Sequence, residues 1–222
     1  RRVVITGIGM INALGLDAQA YFDALLAGSS GIRTLESFDA SKFPCSIGGE
    51  APRVKLNEYV PKSHRKATKL MSRDIELAVI AADAAVRNAS LKTRGTAPDE
   101  PSDFDPTRAG TNIGAGLICC DLVELGEAAA TSVTEGKFDY KKWGQGMQSL
   151  TPLWLLKYLP NMLGCHVSII HDLQGPNNNI TSGEVAGLLS MAEGVRTIIH
   201  NRADVMIAGS AECKLNPMAF LR

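Results

Sequence analysis

The spacing of apolar positions changes several times along the chain. Residues 3–6 are a β-branched run that stops at Gly7-Ile8-Gly9, and Asp17 then precedes an apolar-periodic stretch over residues 20–26. This order predicts a strand, a glycine turn and a capped helix. Residues 28–63 mix Gly, Ser, Pro and short apolar runs without a sustained period, which predicts loops and short strands with Gly48-Gly49-Glu50 at a turn. From residue 62 to 89 the period becomes helical, through Leu70, Met71, Ile75, Ala78, Ala81, Ala85 and Ala89. A long alanine-rich helix is expected there, packed closely on its neighbours.

Residues 93–106 read as a polar loop, and residues 108–113 as a strand entering the glycine-rich turn Gly114-Ala115-Gly116. A helix is expected over 117–130, a loop over 131–143, an apolar helix-like segment over 152–164 broken at Pro160-Asn161, and helix or turn over 166–173. Residues 185–200 form a strongly apolar helical pattern, and residues 204–208 a buried strand ending in Gly209-Ser210-Ala211-Glu212. Between these, Gly175-Pro176-Asn177-Asn178-Asn179-Ile180-Thr181-Ser182-Gly183-Glu184-Val185-Ala186-Gly187 reads as a strand that turns abruptly into a helix, with Glu184 at the junction. Strands alternating with helices predict an α/β fold with parallel pairing.

Composition narrows the function classes. The chain has 23 basic and 23 acidic residues, and this balance argues against nucleic acid as the main partner. Five cysteines, odd in number and without a C-x-x-C pair, disfavour both a disulfide framework and a zinc site and fit a reducing cytoplasm. No apolar run reaches the roughly 20 residues of a membrane helix. Asn12 stands where a dinucleotide fingerprint needs glycine, and His64, His166, His171 and His200 lack metal-ligand spacing, so no cofactor or metal is implied. A strand-to-helix turn presents free N–H groups and a positive dipole end to developing negative charge, which suits a nucleophile. A carboxylate is equally comfortable there as a plain helix start, and burial separates the two readings.

Taken together, several segments resemble the β-ketoacyl-acyl carrier protein synthases, thiolase-like condensing enzymes of fatty-acid and polyketide assembly. The matching residues are Val3-Val4-Ile5-Thr6-Gly7-Ile8-Gly9 with Leu14-Gly15, Met71-Ser72-Arg73, Gly114-Ala115-Gly116, Pro160-Asn161-Met162 with His166-Val167-Ser168, Gly175-Pro176-Asn177, and Ala203-Asp204-Val205-Met206-Ile207-Ala208-Gly209-Ser210-Ala211-Glu212. The resemblance implies a thiolase-like layered αβα architecture, with residues 1–222 as its N-terminal half and the C-terminal half, which carries the family's catalytic histidines and lysine, absent from this chain. It places Glu184 where the family has its nucleophile cysteine. A carboxylate attacking a thioester would form a mixed anhydride, uphill and prone to hydrolysis, whereas a cysteine thiolate exchanges acyl groups at little cost. The implied role is therefore a degenerate site, as in chain-length-factor-like partners of an active synthase. The alternatives are an active synthase or malonyl decarboxylase completed by the missing half, and an interaction-only half-domain. The resemblance also implies that Arg65, Lys66 and Lys69 meet an acidic acyl carrier protein. It implies a homodimer, or a heterodimer with an active ketosynthase, formed through the strand near residues 178–181.

Overall fold

The computed structural model describes residues 1–220. Its elements are α1 (Ala18–Leu26), β1 (Ile32–Thr34), β2 (Ile47–Gly49), α2 (Arg73–Asn88), β3 (Ala109–Ala115), α3 (Leu122–Thr131), β4 (Val133–Thr134), β5 (Lys137–Phe138), α4 (Tyr140–Gly146), α5 (Met162–His171), β6 (Asn177–Ile180), α6 (Ala186–Ile199), β7 (Val205–Ala211) and α7 (Pro217–Phe220). Short 3-10 helices fill several connections.

The organising sheet has the order β6-β3-β7, all parallel, with Asn112 opposite both Asn178 and Ala208. Every residue of the central strand β3 is buried. One face of the sheet packs on α2 and α5, where Ile75, Val79, Leu163, Val167 and Ile170 meet Ala109, Ile113 and Ala115. α6 covers the other face, so close that a Cβ on Gly114 would lie 2.6 Å from the Ala186 carbonyl carbon. The layers are thus α, β and α, as expected. At the start of the sheet, the Arg108 guanidinium grips Asp204 with bonds of 2.8 Å from Nε and Nη2 and donates to Asn201, joining the beginnings of β3 and β7. Arg108 and Arg1 hold the Asp204 carboxyl well below the usual carboxylate range.

Several local expectations change. Residues 3–6 form no strand. Gly7 and Gly9 instead let this segment lie against the Ala85 and Ala81 carbonyls of α2, the Ile8 N–H is taken by Asn88 Oδ1 at 2.9 Å, and a cavity of about 430 Å³ separates the segment from β7. The expected long helix is two helices: a 3-10 helix, Lys62–Leu70, and α2, separated by extended Met71 and started afresh by Ser72, whose hydroxyl accepts from the Ile75 N–H. Gly48 and Gly49 lie in β2 and pair with β1 rather than forming a turn. The expected loop 131–143 contains a two-residue hairpin, because Glu135 and Gly136 both take positive φ, the twist that joins antiparallel strands tightly. Elsewhere Asp17 caps α1 through the Ala20 N–H and α6 falls where its apolar pattern puts it, while β7 is in place but half-buried rather than buried, and the helix expected over 117–130 begins only at Leu122, where Asp121 caps it. After β7 the chain ends its described part in the short helix Pro217–Phe220.

Candidate functional site

The junction between β6 and α6 is built as its sequence suggests. β6 ends at Ile180, Gly183 adopts φ 55°, a 3-10 turn spans Gly183–Val185, and α6 begins at Ala186. The turn can sit tightly on the sheet because its neighbours are small. Gly187 lies against Ser210 of β7, and Gly194 against Ala208. Glu184 therefore occupies the 3-10 turn just ahead of α6 rather than the first turn of the helix. It is exposed, lines neither the cavity beside residues 3–9 nor the larger one at the carboxyl ends of β3 and β7 described below, and has no hydrogen bond or ion pair among the described residues. Taken alone, this is the exposure of a plain helix-start carboxylate. Val185 and Leu188 beside it are 52% and 71% exposed, so Glu184 stands at the head of an uncovered apolar face.

The asparagine run of β6 also has a structural reason. Asn179 accepts from the Gly164 N–H at 3.2 Å and donates to the Asn161 carbonyl at 3.3 Å, while Asn177 donates to Ser168 Oγ at 3.2 Å. Alternate side chains of the strand are thus bonded to α5 and the residue before it. The outer edge of β6 pairs with no other strand among the described residues.

The remaining sequence candidates are dispersed. Arg65, Lys66 and Lys69 are all exposed on the 3-10 helix. With three residues per turn, Lys66 and Lys69 lie one above the other, and Arg65 is turned aside, donating to the Asn57 carbonyl at 3.3 Å. His166 is buried on α5, where burial first and nearby His64 second depress its pKa. Among the described residues no group of His, Cys, Asp and Glu could hold a metal ion, and no helix is long and apolar enough to cross a membrane.

One feature was not anticipated. A cavity of about 1020 Å³ opens at the carboxyl ends of β3 and β7, lined by Cys119, Asp121, Tyr158, Glu212 and Lys214 and by Arg73 and Asp74 at the start of α2. Asp74 is 5% exposed and its Oδ1 accepts the Cys213 N–H at 2.9 Å. Burial pushes its pKa up to about 6 against the bond from Cys213, and the neighbouring Glu212 adds to the rise. In the sequence Asp74 is an ordinary first-turn acid. Only the fold brings Cys213, 139 positions away, onto it.

A parallel three-layer α/β domain with a sharp strand-to-helix turn at a sheet end is the class of scaffold on which a nucleophile is commonly displayed. The chain belongs to the β-ketoacyl synthase family: residues 1–222 match the model for the β-ketoacyl synthase N-terminal domain. It is 29% identical to 3-oxoacyl-[acyl-carrier-protein] synthase 2 of Vibrio harveyi over 99% of this chain and 48% of that protein. It is 32% identical to the Coxiella burnetii protein of the same name, again over 99% and 48%. In fold it is similar to a β-ketoacyl synthase from Burkholderia phymatum (TM-score 0.75, 24% identity, 98% of this chain and 48% of that one). It is also similar to the ishigamide ketosynthase/chain length factor (TM-score 0.71, 23% identity, 99% and 49%). The chain thus has the thiolase-like fold and spans about half the length of the curated relatives it matches.

Proposed function

We propose that this chain is the N-terminal half of a ketosynthase-like protein of fatty-acid or polyketide assembly that does not itself condense, a chain-length-factor-like partner of an active synthase. The observation that carries the reading is Glu184 at the β6–α6 turn. The resemblance in motif order puts it at the nucleophile's place, and no cysteine lies within the turn. Its exposure in this half fits the reading only together with the face it heads. Leu188, Met191, Val195 and Ile199 continue down one side of α6, and they are all exposed. Apolar surface at that density asks for a cover, and relatives twice as long have the chain to provide it. Covering that face would bury Glu184 too. The carboxylate would then repel a malonyl carboxylate as well as fail as an acyl acceptor, which favours the silent partner over a decarboxylase.

Given acyl- and malonyl-carrier substrates, the intact protein is expected to form no covalent acyl adduct and release no carbon dioxide. Glu184→Cys is expected to acquire an acyl adduct at that position, detected by mass. An adduct on Glu184 in the unaltered protein would overturn the reading, and carbon dioxide without an adduct would replace it with decarboxylation.

The exposed basic residues of the Lys62–Leu70 helix form the proposed face for an acidic acyl carrier protein. Changing Arg65, Lys66 and Lys69 together to Glu is expected to weaken carrier binding about tenfold or more at low ionic strength, with the difference shrinking as salt screens it. Unchanged affinity at low salt would remove these residues from the docking surface. The unpaired edge of β6 is the proposed dimer strand, open to a second copy or to an active ketosynthase.

A further inference from the structure

Buried polar groups in native proteins are almost always hydrogen-bonded, and those that lack a protein partner are commonly served by internal water. Two residues that face each other across the sheet–helix boundary are in that position. Asn112, at the middle of β3, is 1% exposed, and neither its Oδ1 nor its Nδ2 has a protein partner. Ser190 on α6 is 0% exposed, and its hydroxyl is likewise unpartnered.

Register places them together. Gly114 shares its face of β3 with Asn112, and its missing Cβ points at Ala186 and Gly187, so Asn112 also faces α6. α6 runs antiparallel to the strand, as the crossover from β6 to β7 requires. Gly187 stands at Ser210, which pairs with Gly114, and Gly194 stands at Ala208, which pairs with Asn112. Ser190, one turn past Ala186 and between those two glycines, therefore lies over Asn112. Asn178, the ladder partner of Asn112 on β6, brings a third polar side chain to the same face of the sheet.

We infer that the Asn112 carboxamide and the Ser190 hydroxyl hold one internal water molecule between β3 and α6. The water accepts from the amide Nδ2 and donates to the hydroxyl oxygen. The site fixes the sliding position of α6 on the sheet, and the helix begins at the turn that carries Glu184.

A high-resolution crystal structure of the intact protein tests this directly. Density for a water within hydrogen-bond distance of both side chains is expected. A direct Asn112–Ser190 hydrogen bond, or no density between them, would overturn the site. Stability offers a second readout that does not depend on crystals. Asn112→Val and Ser190→Ala should each lower Tm by several degrees, about 2–4 °C for each kcal/mol in a chain of this size. The double variant should lose less than the sum of the two, because it leaves no orphaned polar group. Strictly additive losses would also defeat the proposal.

Discussion

Asp74→Asn is expected to make the protein more stable than the unaltered chain at pH 7, by on the order of 3 kcal/mol, with the gain fading as the pH falls toward 4. The Asp74 carboxyl is held to about 6 by burial, above its ordinary 3.8. A raised acid contributes stability that is complete below the unfolded value and is lost as pH rises through the folded one. Across pH 4–6 the unaltered protein therefore pays an increasing cost for ionising a buried carboxylate, which asparagine avoids while keeping the bond from Cys213. His171 works in the opposite direction. It is 1% exposed, its Nδ1 is bonded to Thr93 Oγ1 at 2.8 Å, and burial, with Arg87 nearby, depresses its pKa to about 4. The unfolded chain takes up that proton first, so stability complete above about 6.5 is lost as the pH falls toward 4, again on the order of 3 kcal/mol. The two slopes nearly cancel between pH 4 and 6. Depressed His166 adds to the His171 limb, and raised Asp83 to the Asp74 limb. Urea midpoints measured across this window should be nearly level for the unaltered protein and rise with pH for Asp74→Asn. A level profile in the variant would refute the assignment.

Gly114→Val should damage the scaffold severely, costing about 3 kcal/mol or more and lowering Tm by about 6–12 °C. The added Cβ would meet the Ala186 carbonyl carbon at 2.6 Å and the Gly187 nitrogen at 2.8 Å. Both are backbone atoms, so no side-chain rotation relieves the clash, and α6 must lift from β3. The contrast is Gly126, inside exposed α3 with nothing within 4 Å of its would-be Cβ. Gly126→Ala should stabilise by about 0.5–1 kcal/mol through helix propensity. Thermal melts of the two variants check both signs. A Gly114→Val protein melting with the unaltered chain would mean that α6 does not sit on β3 as described.

What could be read from the sequence follows the range of the forces involved. α2, α6 and β7 were legible because each carries a strong local apolar period, and α1 because Asp17 is a local cap. The segment 3–6 has the composition of a strand, but a strand exists only with a partner strand, and this segment pairs with none among the described residues while the Ile8 N–H that follows it is taken by Asn88 of α2. The break at Met71 was hidden because Lys62–Leu70 has only Ala67 and Leu70 as apolar positions, too few to tell a 3-10 period from an α period. At the candidate site the turn and the position of Glu184 were visible from sequence order. The reason for the asparagines of β6 was not, since it lies in Asn161, Gly164 and Ser168 on another element. The pairing of Asn112 with Ser190 was hidden for the same reason, being set by crossover register.

The commitment of Asn177 and Asn179 to α5 has a consequence for assembly. A strand whose side chains are already engaged offers a newcomer little beyond its peptide groups, and peptide groups are the same in every chain. Pairing along that edge would be blind to sequence, accepting an identical copy and an unlike relative on nearly equal terms. Any preference between them must be written in the surfaces that flank the strand.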